Sequence, residues 1–328
     1  MRKSYKFFLV VLLGAGILGW GIGVFQKNLE DFLYWKMTKE IYLKAQIAPL
    51  FPHLHLSPFK PLRNWEVESV QIKAKSAISA EIDEEGKIKV LYEKASNQKV
   101  PIASLTKLMT AYIVLENPHS LSDTIRITPE MVNQEEPTGN LKPGELFKIK
   151  DLLYMSLIES SNDAAFALAS GLTKGKVSSF VALMNAKAKE LGMRNTFFTN
   201  PTGLDPDDPH GPINYSTARD LVKFARFLLK KPFLLETSVK RELKIHLADG
   251  TFHHLAKNTN RILNERVKWG NLIIGGKTGW TPKAGGCLLL ILKQPTSHTF
   301  IVNVILGSEN RFEEMKKLTN WVFSAYKW

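Results

Sequence analysis

The chain has 328 residues, 44% hydrophobic and 23% charged, a globular composition long enough for one large domain or two small ones. Its formal net charge of +13 favours contact with anionic lipids, nucleic acid or anionic wall polymers but carries no information about fold. No basic run with interleaved aromatics accompanies that charge, which argues against a nucleic-acid partner. The single cysteine, Cys287, excludes an intramolecular disulfide and a cysteine-based metal cluster, and its place in the apolar run 287–292 points to a buried, inert thiol.

Arg2, Lys3 and Lys6 precede an apolar run over residues 7–25, close to the ~20 residues that a helix needs to cross a bilayer. The positive flank predicts a cytoplasmic N-terminus with the remainder of the chain outside. A cleaved signal peptide is the competing reading; no Ala-x-Ala site is present, although Gly19, Gly21 and Gly23 leave cleavage open. Gly14, Gly16 and Gly19 match the spacing of a dinucleotide-binding turn, but they lie inside the apolar run with no strand before them, so that reading is rejected. Leu29, Phe32, Leu33, Met37 and Ile41 recur at helical spacing and predict a short amphipathic helix after the membrane segment. Pro49, Pro52, Pro58 and Pro61 then break regular structure up to about Asn64, and His53 and His55 within this linker read as solvated side chains. The expected division is an anchor or signal segment over 1–28, a juxtamembrane helix and linker over 29–66, and a folded domain over 67–328.

Within the folded domain, segments 76–82 and 89–92 flank Asp83, Glu84, Glu85 and Gly86, the pattern of a β-hairpin and its turn. Pro101 and Ser104 read as start signals for a helix that runs on through residue 115. Thr128, Pro129 and Glu130 signal another helix start, and the segment 137–144 carries loop chemistry. Further helices are expected over 149–158, 164–172, 177–191, 217–229 and 311–326. Strands are expected over 243–246, 273–276, 286–292 and 299–306. Strands at both ends with helices between them define an α+β class, an antiparallel sheet with helices on its faces.

Three short stretches carry potential chemistry. Ser104 and Lys107 are three apart, and on a helix such positions bring Cβ atoms to about 5–6 Å. A serine hydroxyl becomes a nucleophile when a base takes its proton, and a lysine serves only if a neighbouring cation and desolvation depress its pKa. The bland alternative is an N-cap serine beside a surface lysine. Ser160 and Asn162 fall at a break between two apolar helices, where a hydroxyl and an amide can hydrogen-bond a lysine and a peptide; a simple helix cap is the alternative. Lys277, Thr278 and Gly279 follow an apolar strand whose glycines let a substrate backbone lie close, with a plain turn as the alternative.

Taken together and in this order, the three stretches resemble the Ser-x-x-Lys, Ser-x-Asn and Lys-Thr-Gly set of penicillin-binding proteins and serine β-lactamases. Segments 103–110, 200–205, 215–220, 258–260 and 306–312 are further similar to the low-molecular-mass D-alanyl-D-alanine carboxypeptidases, and the resemblance spans residues 67–328. It implies a sheet with helices on both faces plus a helical subdomain. Ser104 would be the acylated nucleophile, Lys107 its general base and Ser160 a proton relay. Asn162, Lys277, Thr278, Gly279 and Trp280 would contact substrate, with the backbone N–H groups of Ser104 and Trp280 forming the oxyanion hole. Arg311 takes the family position near the terminal-carboxylate pocket, with a surface arginine opening the last helix as the alternative.

The implied substrate is a peptidoglycan stem peptide ending in D-Ala-D-Ala, with β-lactams as covalent inhibitors and no metal or other cofactor. The implied location is the bacterial cytoplasmic membrane with the catalytic domain outside, or secretion if the leader is cut. D,D-endopeptidase or transpeptidase chemistry on the same acyl-enzyme, and a catalytically weak wall-peptide or β-lactam sensor, are the alternatives. A β-lactamase is disfavoured because no Glu-x-x-Leu-Asn stretch supplies the deacylating glutamate. Two departures stand out. Ser161 replaces a glycine common in the family, and the chain ends with the helix that closes the domain, without the β-rich C-terminal domain that many relatives carry.

Overall fold

β11 shows how this sheet is made. Cys287, Leu289 and Ile291 enter one apolar cluster while Leu288, Leu290 and Leu292 enter another, the two-residue alternation of a strand buried on both faces. β12 repeats the pattern, with Val302, Val304 and Leu306 on one side and Ile301 and Ile305 on the other. Each such leucine or isoleucine contributes about 2 kcal/mol through burial, so the register of the central strands is fixed by both layers at once.

The computed structural model describes residues 61–132, 134, 139–294 and 297–328, and residues 61–328 form one compact unit. In chain order its strands are β1 (Leu62–Arg63), β2 (Ser76–Ile82), β3 (Ile88–Lys94), β4 (Val100–Pro101), β5 (Thr124–Arg126), β6 (Leu146–Lys148) and β7 (Tyr215–Ser216). They continue as β8 (Glu242–His246), β9 (Phe252–Lys257), β10 (Ile273–Thr281), β11 (Gly285–Lys293), β12 (Phe300–Ser308) and β13 (Tyr326–Lys327). The described α-helices are α1 (Thr106–Glu116), α2 (Ile149–Ile158), α3 (Asn162–Leu172), α4 (Val177–Glu190), α5 (Ala218–Leu228), α6 (Pro232–Ser238) and α7 (Arg311–Ala325). The main sheet is antiparallel throughout in the order β10-β11-β12-β2-β3. α7 packs on one face, burying Met315, Leu318 and Val322 against it, and Asn303 in β12 donates to Thr319 of α7 at 2.9 Å. α5 covers the other face, and α1 to α4 form the helical layer whose core is continuous with it.

The α+β class, the antiparallel sheet and the first hairpin are as the sequence predicts. Four local features differ. Pro101 lies in β4 rather than opening a helix, and Ser104 sits in a 3-10 turn over Ala103–Leu105 that precedes α1. Thr128 to Glu130 yields only a four-residue 3-10 turn, Pro129–Val132. β10 continues to Thr281, well past residue 276, because it pairs with β11 as far as Thr281↔Gly285 and the ladder outweighs the poor strand propensity of its glycines. At the N-terminal edge, β1 pairs antiparallel with β13, Leu62↔Lys327 and Arg63↔Tyr326, a two-residue ladder too short to leave a periodic signal. No described helix is long and apolar enough to cross a membrane. The apolar run 7–25 and the amphipathic segment that follows it lie outside the described residues.

Candidate active site

Ser104 and Lys107 meet because the chain bends sharply just before α1. Ala103 has φ +47°, the left-handed region that a side chain with a Cβ rarely adopts, and such strain concentrates where surrounding structure enforces it. Ser104 is therefore not an N-cap, and its hydroxyl is left for Lys107, whose Nζ lies 2.9 Å from Ser104 Oγ. Lys107 is fully buried in the first turn of α1. Its Nζ also donates to Asn162 Oδ1 at 2.6 Å and to the Thr202 carbonyl at 2.8 Å. Lys107 Nζ thus meets acceptors from three separate segments, with the Ser104 hydroxyl among them.

The Thr202 carbonyl is aimed by a loop locked from within. Asn200 Oδ1 accepts from the Thr202 N–H at 3.1 Å, the Thr202 hydroxyl at 3.0 Å and the Gly203 N–H at 2.7 Å. Asn214, itself buried, accepts from the Thr199 N–H at 2.7 Å and donates to Thr106 Oγ1 at 3.0 Å and the Asn200 carbonyl at 2.9 Å. Thr110 of α1 closes the contact by donating to the Pro201 carbonyl at 2.6 Å. Gly203 is required here, because at φ +90° a Cβ would lie 2.0 Å from the Ala103 carbonyl oxygen.

The second corner is built from the α2–α3 break and β10. Ser160 has φ +66°, and this turn delivers its hydroxyl to Lys277 Nζ at 2.8 Å. Ser161, not Ser160, caps α3, accepting from the Ala164 N–H at 3.1 Å. That capping role accounts locally for the residue that departs from the family's glycine. Lys277 is 2% exposed, and burial, followed by the charge of Arg311, lowers its pKa to about 7. Thr278 pairs with the Thr259 hydroxyl at 2.5 Å, and Thr259 in turn is tied to the end of α2 through its N–H to Ile158 O at 3.1 Å. Gly279 brings β10 against the nucleophile turn, where a Cβ would lie 2.9 Å from the Ser104 nitrogen. Trp280 is half exposed at the rim. Arg311 opens α7, as one of its two expected readings has it, yet it is also part-buried and close enough to Lys277 to act on its charge.

The structure thus brings Ser104, Lys107 and Asn162 into one hydrogen-bonded group and Ser160 and Lys277 into a second beside it, with Thr278 and Gly279 on the same strand. Sequence reasoning did not single out Thr202, Asn214 or Thr259. Thr202 and Thr259 lie in the segments 200–205 and 258–260 that carry the family resemblance, which gave neither a role, and nothing local marked Asn214.

A buried lysine on a serine hydroxyl, walled by a Lys-Thr-Gly edge strand, defines a serine acyl-transfer centre. The family model described as D-alanyl-D-alanine carboxypeptidase matches residues 63–310. A D-alanyl-D-alanine endopeptidase of Pseudomonas aeruginosa is 32% identical over 249 residues, 74% of this chain and 76% of its own. The D-alanyl-D-alanine carboxypeptidase DacF of Bacillus subtilis is 33% identical over 263 residues, 78% of this chain and 63% of its own, so the match spans under two thirds of that relative. Penicillin-binding protein D2 of Listeria monocytogenes, solved with ampicillin bound, superposes with a TM-score of 0.65 at 28% identity, covering 78% of this chain and 99% of that one. This chain belongs to the D-alanyl-D-alanine carboxypeptidase family of serine peptidases.

Proposed function

We propose that the protein removes the terminal D-alanine from peptidoglycan stem peptides ending in D-Ala-D-Ala, through an acyl-enzyme on Ser104, and that β-lactams acylate the same serine. The observation that carries this reading is the placement of Lys107 Nζ, 2.9 Å from Ser104 Oγ and held by Asn162 and Thr202. Lys107 takes the hydroxyl proton as Ser104 attacks the carbonyl carbon. The backbone N–H groups of Ser104 and Trp280 hold the developing oxyanion, an interaction whose loss costs on the order of 10²–10³ in rate. Ser160 and Lys277 return a proton to the departing D-alanine nitrogen. Lys277, Thr278 and Arg311 receive the substrate's terminal carboxylate, and Asn162 touches the peptide. Water then attacks the ester, releasing the shortened peptide and restoring the Ser104 hydroxyl.

D-alanine release from a stem-peptide mimic, with Ser104→Ala as control, tests this reading. Release that disappears in the variant supports it, and absence of release from folded wild type overturns it. Cleavage of cross-linked dimers is a second reading, favoured by the endopeptidase name of the Pseudomonas aeruginosa relative; comparing rates on monomeric and cross-linked muropeptides separates the two. The apolar run 7–25 is proposed as an uncleaved anchor that keeps the catalytic domain outside the cytoplasmic membrane. Retention of full-length protein in membranes washed with alkaline carbonate is the expected outcome, and release into the wash overturns it.

A further inference from the structure

Behind Ser160, four titratable side chains are strung end to end. Glu159, the residue before Ser160, meets His254 Nε2 with both carboxylate oxygens, at 2.9 and 3.0 Å. His254 Nδ1 lies 2.7 Å from His253 Nδ1, and His253 Nε2 faces Glu145 at 3.4 Å. Adjacent strand residues ordinarily point to opposite faces. Here the β8–β9 register slips, with Ile245 opposite His254 and His246 opposite Phe252, so His253 is the extra residue of a β-bulge. Bulges re-aim side chains in this way. Phe147 packs edge-on against the His253 ring at 5.1 Å, and Gly139 closes over the other end, where a Cβ would be 3.1 Å from Glu159 Oε1. All four side chains are largely buried. They are not gathered round a point, and among the described residues none form a group able to hold a metal ion.

We propose that Glu159, held by His254, is a positioning residue for Ser160: the Glu145–His253–His254–Glu159 chain fixes the turn that delivers the Ser160 hydroxyl to Lys277. The inference rests on the active-site reading above. Its chemistry follows from counting donors. Each ring-to-ring or ring-to-carboxylate contact needs one hydrogen, and four proton distributions supply all three, with the extra proton on any one of the four side chains; two of them set the state of Glu159 against that of His253. In one, a cationic His253 donates to Glu145 and to His254, and His254 donates to an ionised Glu159. In the other, a protonated Glu159 donates to His254, which donates to His253, which donates to Glu145. The two hold the same number of protons and interconvert when one proton passes from His253 to His254 and another from His254 to Glu159. Removing one proton leaves the chain a hydrogen short, and the long His253–Glu145 contact is the one that lapses.

Burial raises the Glu159 pKa to about 7, opposed by His253, and lowers those of both histidines, on which Glu145 acts in the opposite sense and Lys142 adds to the lowering at His253. The chain therefore changes its proton count near neutrality, one residue from a hydroxyl that contacts Lys277.

The test is the rate of Ser104 acylation by a fluorescent penicillin across the neutral pH range, using the full chain, with thermal unfolding of each variant alongside. Glu159→Ala is expected to slow acylation about 10- to 100-fold through misplacement of Ser160. Glu159→Gln, which keeps a hydrogen-bonding amide opposite His254, recovers most of that loss. In wild type two groups, Glu159 and Lys277, shape the profile near pH 7; in Glu159→Gln the profile becomes the shallower curve of one group. In His254→Leu the Glu159 inflection moves to higher pH, because the carboxylate loses its N–H donor. Glu159→Gln and His254→Leu profiles that superimpose on wild type, whatever their absolute rates, overturn the proposal. Wild type that folds but is not acylated overturns the active-site reading beneath it.

Discussion

Lys107 and Lys277 are both buried lysines within hydrogen-bond reach of a serine, and they differ in what else surrounds them. Lys107 Nζ faces three oxygens from three separate segments: its own turn, the start of α3 and the 199–205 loop. Lys277 Nζ has Ser160 and the carbonyl of its own neighbour Thr278, and it feels the positive charge of Arg311. The first site sets its amine beside the nucleophile among acceptors from three segments. The second keeps a cation that is easily discharged, where an anionic substrate group can compensate for its burial. Two lysines of the same burial thus serve different ends through the count and kind of their acceptors.

The largest expected effect separates the corners directly. Lys107→Ala should slow acylation of Ser104 by on the order of 10³, within the range for losing a general base, while Ser104→Ala abolishes it. Lys277→Ala should slow it by only about 10- to 100-fold, with a greater loss on carboxylate-terminated peptides than on their amides. Acylation kinetics with circular dichroism as a fold check measure all three, and equal losses in the two lysine variants would erase the distinction.

Next comes the loop that aims the Thr202 carbonyl. Gly203→Ala should destabilise the protein by about 3 kcal/mol or more, since it combines a left-handed backbone with a Cβ overlapping the Ala103 carbonyl. Asn214→Ala should cost about 2 kcal/mol by leaving buried partners unmet, and urea unfolding ranks the pair. The gentlest test is pH. Lys277 binds its proton less tightly in the fold, about 7 against 10.5, so between those values the unfolded chain holds more protons and stability from this group rises with pH. Unfolding of Lys277→Met over that window should lack this rise; a slope equal to wild type would mean that Lys277 keeps its ordinary proton affinity.

Much of this site could be read from the sequence because its parts are local. Ser104 and Lys107 sit three apart, Ser160 and Asn162 two apart, and Lys277 to Gly279 are contiguous, so spacing carries the chemistry. The apolar periodicity of 149–158 coincides with α2 because nothing tertiary competes with it. What stayed hidden depends on distant pairing. Asn214 matters because it bridges Thr106 and Asn200, and Thr259 because it meets Thr278, neither of which any window around those residues contains. The helix start read at Ser104 failed for a related reason: the hydroxyl that local rules assign to a cap meets a lysine, and the turn before it lies close against Gly203 and Gly279, which are distant in sequence.

The lone cysteine has a practical consequence. Cys287 lies in an interior strand with no exposed surface, its sulfur 3.7 Å from the Pro101 carbonyl, and burial pushes its thiol up to about 11. Because the thiolate is the reactive form, a maleimide or disulfide reagent has no access to it while β10, β11 and β12 stay paired. Its labelling rate therefore serves as a built-in clock for opening of the sheet beneath the nucleophile, with no engineered probe, and acylation of Ser104 should slow that clock to the extent that the covalent adduct ties the α1 turn to β10.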